Sequence, residues 1–171
     1  MKKLMMIAAM ALMSVGVFAQ EAGKTALGVN VGMAAYGNKY NPFGIGAKFQ
    51  YEFVECFRAE LAYNYWFAKD KAGVMDFDLN VQYIIPATDK LNIYPLVGAN
   101  LALTHGEANK AFLDGQQSIF GFQGGAGIEY FLTDNFKVNF DVKYQYNKKT
   151  KSGYEIKYDG PVFQIGGAYV F

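Results

Sequence analysis

"FGIGAKFQYEF" (Phe43–Phe53) carries two chemistries on alternate residues. Phe43, Ile45, Ala47, Phe49, Tyr51 and Phe53 form one set, and Gly44, Gly46, Lys48, Gln50 and Glu52 the other. Successive side chains of a strand point to opposite faces, so the stretch reads as a strand with one apolar and one polar face. Seven other runs show the same period: Thr25–Met33, Phe57–Phe67, Met75–Ile85, Leu91–Leu103, Phe120–Tyr130, Phe136–Tyr146 and Pro161–Phe171. Across all eight, the apolar face has 48 positions and no charge, whereas the polar face has 40 positions and ten charges. No sustained helical repeat competes with this pattern.

Alternation by itself does not say which face points inward, since a soluble ligand-binding barrel also alternates, with its apolar face inside. Glycine decides. The polar face holds Gly28, Gly32, Gly44, Gly46, Gly98, Gly121, Gly125, Gly127 and Gly166. Glycine weakens a strand and has little use on an open solvated face. Inside an eight-stranded barrel, whose bore only just holds its side chains, it makes room for charged neighbours. The apolar face, rich in Phe, Tyr and Leu, is too bulky for that bore. The sequence therefore predicts an all-β fold, an eight-stranded antiparallel up-and-down transmembrane β-barrel. A basic residue facing the bilayer midplane would cost about 2–4 kcal/mol, which accounts for the uncharged face. Closure removes the strand edges that hydrocarbon does not tolerate.

The remainder of the chain fits this reading. Residues 1–19 have the form of a cleaved secretory signal: Lys2 and Lys3, the apolar stretch Leu4–Ala19, and small residues at Val17-Phe18-Ala19. Residues 20–171 are expected to be the barrel domain. The full chain has 16 basic and 15 acidic residues; without Lys2 and Lys3 the balance is 14 against 15, net −1. No basic excess invites nucleic acid. The lone Cys56 has no partner for an internal disulfide and reads as a small apolar filler. Connections alternate between short ("VEC", "PATDK", "LTDN") and longer ("AAYGNKYNP", "AKDKAG", "THGEANKAFLDGQQS", "NKKTKSGYEIKYDG"). The expected setting is the outer membrane, with the N-terminus periplasmic and the long loops extracellular. Tyr63, Tyr65, Phe67, Tyr144 and Tyr146 mark one aromatic girdle, and Phe53, Phe57, Tyr83, Tyr130, Phe136 and Phe171 the other.

"YIIPATDKLNIYPLVGANLAL" (Tyr83–Leu103) resembles the middle turn of outer membrane protein A-type barrels, and "GFQGGAGIEYFLTDNFKVNFDVKYQY" (Gly121–Tyr146) is similar to a penultimate hairpin of the small outer-membrane β-barrel family. Phe171, with Tyr169, Ile165 and Phe163 at alternate positions, resembles the signal read by the barrel-assembly machinery. The resemblance implies the fold; the family serves many roles. Outer membrane protein A continues into a peptidoglycan-binding domain, and this chain is expected to be the barrel without it.

The ten inward charges are Lys48, Glu52, Arg58, Glu60, Asp76, Asp78, Glu129, Lys137, Asp141 and Lys143. In a narrow bore they must pair, so a structural plug is expected, with Asn80, Gln82, Gln123, Asn139 and Gln145 filling the gaps. A narrow ion or small-solute pore lined by the same groups is the alternative. Arg58, the only arginine, is expected at the network's centre with Glu52 or Glu60 beside it. Trp66 is expected as a plug near the outer mouth, and Pro95 as a bulge or bend. His105, Glu107 and Ser118 raise a lipid-modifying enzyme as a third reading, but no local pattern joins them and no catalytic activity is expected. Neither a metal site nor a cofactor is expected, as no second His or Cys stands at ligand spacing. The expected partners are lipid, the assembly machinery during biogenesis, an unidentified extracellular ligand, and lipopolysaccharide phosphates contacted by Lys148, Lys149 and Lys151. The chain is expected to be monomeric. Its leading function is structural support of the envelope, with surface adhesion or ligand binding through the loops.

Overall fold

A computed structural model describes residues 23–36, 41–67, 73–105, 117–151 and 154–171. It contains β1 (Thr25–Ala34), β2 (Phe43–Val54), β3 (Phe57–Phe67), β4 (Gly73–Tyr83), β5 (Ile85–Pro86), β6 (Leu91–His105), β7 (Gln117–Phe131), β8 (Phe136–Lys151) and β9 (Tyr154–Val170). Each long strand pairs antiparallel with its neighbours in sequence. β9 returns to β1, and β4 pairs with β6. The eight long strands thus form a closed barrel, and β5 is a two-residue addition that pairs only with β6.

The two faces separate as the alternation requires. Large apolar side chains stand exposed around the outside, among them Val29, Leu79, Val97, Phe122 and Ile165. Rings pair along the rims, as in Phe57–Tyr83 (centroids 5.0 Å), Tyr169–Phe171 (5.1 Å) and Phe43–Phe67 (6.4 Å). The interior is polar, and nine of the ten inward charges are buried; Glu52, at the mouth, is half-buried. The barrel has a turn end, carrying the short β2–β3, β5–β6 and β7–β8 connections, and an opposite loop end.

Three local expectations are corrected. Pro95 makes no bulge, because β6 keeps one register with β7 through Tyr94↔Gly127, Pro95↔Ala126 and Leu96↔Gly125. Pro95 has no N–H to donate, and the ladder breaks across from it, between β4 and β5, without a shift. The Ile84 amide donates instead to the Cys56 carbonyl (2.6 Å). The shift in register lies at Glu52/Val54, beside the β2–β3 turn. Cys56 is not a core filler either; it is half-buried in that turn with φ 67°, a left-handed backbone unusual for a residue with a Cβ.

The segment "NKKTKSGYEIKYDG" is not the loop that its composition predicts. β8 and β9 stay paired from Asn147↔Tyr158 to Lys151↔Tyr154, whereas β7 leaves β8 at Gly121↔Asn147. The hairpin therefore extends past the barrel wall as a two-stranded ribbon. Lysine, threonine and glutamate hid the strands, since they read as loop by composition.

The barrel interior as candidate functional site

From the turn end inward, the first cluster is built on Glu129 of β7. Its carboxylate accepts from Arg58 Nη1 (2.8 Å) on β3 and from Lys137 Nζ (3.0 Å) on β8. Asn92 Nδ2 also donates to it (3.0 Å). Arg58 Nε donates to Gln82 (2.6 Å), and its guanidinium lies 5.1 Å from the Tyr94 ring centroid. The carboxylates expected beside Arg58 are not its partners. Glu52 is its register neighbour on β2 but sits at the mouth, and Glu60 bonds elsewhere. The long arginine side chain crosses the narrow bore to β7 instead.

The middle of the bore holds Glu60, which accepts from Gln50 (2.8 Å) and Asn80 (3.0 Å). Lys48 Nζ lies between Glu60 (3.9 Å) and Asp141 (3.6 Å). Asp141 also accepts from the Tyr94 hydroxyl and from Asn139. Further toward the loop end, Lys143 pairs with Asp78, which also accepts from Asn64 (3.1 Å). Asp76 accepts from Asn100 (3.1 Å) and Gln145 (2.8 Å). Amide contacts such as Gln123 to Asn80 (2.6 Å) and Gln145 to Gln123 (3.1 Å) join these clusters along the axis. Arg58 is therefore one end of the network rather than its centre.

The loop end closes with an apolar layer. Trp66, 2% exposed, packs with Ala34 and Val162, and Tyr36 and Val74 lie against them. Trp66 is the plug that its inward parity predicted. A second apolar group, Ile84, Tyr94 and Leu96, lies at the turn end. Alternation along Leu91–Leu103 puts the last two on the polar face. The two fully buried rings stand opposite a glycine. Trp66 pairs in register with Gly44 and Tyr94 with Gly127. A Cβ on Gly44 would come 2.9 Å from Trp66 Cδ2, and one on Gly127 2.5 Å from Tyr94 Cζ. Those glycines make space for the rings.

A cavity of about 610 Å³ opens at the turn end, reaching from the turns down to Arg58, Gln50 and Lys137. At the loop end, the space around Trp66, Asp76 and Asn147 amounts to about 10 Å³. The bore is thus a cup with one open end. No metal-binding group of His, Cys, Asp and Glu exists among the described residues. The side chain of His105, together with Glu107, lies outside the described residues, and Ser118 is exposed. Lys148 is exposed on the ribbon; the side chains of Lys149 and Lys151 lie outside the described residues.

The closed sheet, apolar exterior and charged bore agree with what comparison finds. The profile of the outer membrane protein beta-barrel domain matches residues 5–171. The chain belongs to that family. It is an integral outer-membrane barrel. Among solved structures it is similar to Neisserial surface protein A, with TM-score 0.69 and 13% identity over 88% of this chain and 98% of that one. It is also similar to OprG from Pseudomonas aeruginosa (TM-score 0.66, 17% identity, 90% and 98% covered). A third likeness is to Ail, the attachment invasion locus protein of Yersinia pestis (0.54, 16%, 89% and 100%). At these identities the likeness is one of fold. No curated protein sequence matches the chain.

Proposed function

We propose that this barrel is a closed structural element of the outer membrane that supports the envelope and presents its loops and the β8–β9 ribbon outward for adhesion or ligand contact. The observation carrying this reading is the filled bore. An apolar layer around Trp66 blocks the loop end, and cross-bore pairs such as Lys143–Asp78 and Arg58–Glu129 occupy the middle. Eight strands leave little free lumen, and here side chains close it between the turn-end cavity and the loop end. The turn end faces the periplasm in this reading, as short turns do in this class. Phe171 and Tyr169 form the assembly signal, and both are exposed on the outer face at that end.

Adhesion through the loop end has the support of a structural neighbour described as an attachment invasion locus protein. In this reading the ribbon, with Lys148, Lys149 and Lys151 along β8, would meet lipopolysaccharide phosphates, since lysines hold phosphate as point charges. The test is planar-bilayer conductance of the refolded wild type beside Trp66→Ala. A silent wild type with a leaky Trp66→Ala variant supports the closed scaffold. Stable wild-type openings would refute it in favour of a pore lined by the interior charges.

A further inference from the structure

The turn-end cavity is more than the unfilled end of a plug. Its buried end holds two cations, Arg58 (1% exposed) and Lys137 (3%), which share the single carboxylate of Glu129. Glu129 offsets one of the two positive charges, and the charge of Glu52, half-buried at the mouth, also acts on Lys137. The cluster also carries a free donor, because Arg58 Nη2 is buried and has no hydrogen-bond partner among the described residues. It is one of ten such buried atoms among the described residues, and with Gln50 Oε1 one of the two that belong to residues lining this cavity. The mouth has the opposite sign: Glu52, Glu55, Asp89 and Asp134 line it against Lys24 and Lys90. The cavity is thus positive at depth and negative at its opening, and its 610 Å³ exceeds what a few waters need.

We infer that the turn-end cavity binds a small zwitterion, a short peptide with free termini. Its carboxylate meets Arg58 and Lys137 at the buried end, and its ammonium meets the carboxylates at the mouth. A carboxylate matches the guanidinium edge that faces no protein acceptor, since Nη1 and Nε are already committed to Glu129 and Gln82. A simple anion would satisfy the buried end but meet repulsion at the mouth. A simple cation would face the reverse. The short backbone of a di- or tripeptide separates its two charges along the axis on which the cavity separates its own. The apolar wall, with Ala26, Ile84, Phe131 and Val170, suits small uncharged side chains between the termini.

The experiment is an amide NMR titration of the refolded ¹⁵N-labelled barrel with tri-alanine. Tri-alanine amide and N-acetyl-tri-alanine serve as probes lacking one charge, and acetate as the bare anion. Tri-alanine is expected to cause saturable shifts at Ala26, Arg58 and Lys137 and none at Ala34 or Trp66. Removing its C-terminal charge should weaken binding about tenfold or more, the scale of one charge-assisted hydrogen bond. Lys137→Gln should weaken tri-alanine and leave the already weak amide little changed. Glu52→Gln, at the mouth, should weaken tri-alanine but not the N-acetyl form. Because the ligand series runs on wild-type protein, a variant that fails to fold leaves the test intact. Absence of saturable shifts overturns the inference. So does equal binding of the free and amidated peptides, or acetate binding as tightly as tri-alanine, which would leave a simple anion site.

Discussion

Glu129→Gln should destabilise the barrel more than removing either cation that it binds. Lys137→Gln deletes one bond of 3.0 Å and leaves Arg58–Glu129 at 2.8 Å as a neutral pair. The loss is that of a hydrogen bond to a charged group, about 1.5–3 kcal/mol. Glu129→Gln strips the anion from both cations at once. Removing one member of a buried pair costs about 3–5 kcal/mol, and here a guanidinium and an ammonium, each under 5% exposed, are left without their shared anion. The expected gap between the variants is about 2 kcal/mol or more, a factor of about 30 in the folding equilibrium. Urea unfolding in lipid vesicles can measure it, followed by emission from Trp66, the sole tryptophan. The double variant Glu129→Gln/Lys137→Gln should regain part of the loss, because it relieves the like-charge repulsion, and the cycle isolates that coupling. If Glu129→Gln proves no less stable than Lys137→Gln, the cluster carries no net positive charge. Glu52 would then be neutralising it, and the reasoning behind the zwitterion site would fall with it.

Three other outcomes follow from the same geometry. Val97→Arg places a cation on the outer face, where Val97 is 65% exposed, and should cost about 2–4 kcal/mol near the bilayer midplane in the vesicle unfolding assay. Gly98→Ala should block refolding, since its Cβ would come 2.9 Å from the Asn80 backbone and closer still to the Leu79 carbonyl; Gly124→Ala, with only the Leu96 oxygen at 3.8 Å, should refold like the wild type on a gel-shift assay. Replacing Lys148, Lys149 and Lys151 together with Ser should lower lipopolysaccharide binding measured by surface plasmon resonance, and unchanged binding would remove the ribbon as the contact.

The strands and the direction of their faces were legible in the sequence because the lipid side permits no charge, and that prohibition repeats every second residue. Phe57–Phe67 coincides with β3 at both ends. The ribbon was missed because beyond the membrane the prohibition lapses. Thr150 and Glu155 pair as well as apolar residues would, yet their composition resembles a loop. The Ser152-Gly153 dipeptide, which suits a two-residue hairpin, was the available signal. The inward charges were also legible, since parity alone selects them. Their partners were not. Arg58 and Glu129 are 71 residues apart, and which strand faces which across a bore depends on closure and side-chain reach. Sequence spacing records neither. The role of Tyr94 was hidden because an inward ring on a polar face looks like an exception until its glycine is found on the next strand.

The pairing of each of the two fully buried rings with a glycine ties the inheritance of one position to another. Trp66 fills the space that Gly44 leaves, and Tyr94 fills the space left by Gly127. A lineage that enlarged Gly44 would have to shrink the ring opposite, one that enlarged Gly127 would have to shift Asp141 as well as shrink Tyr94, and one that lost a ring would gain from restoring a side chain on the glycine. Each half-step passes through a less stable barrel. These positions should therefore change together or not at all among descendants of this chain, and an aligned set of its relatives would show them as two coupled pairs of columns, 22 and 33 residues apart in number.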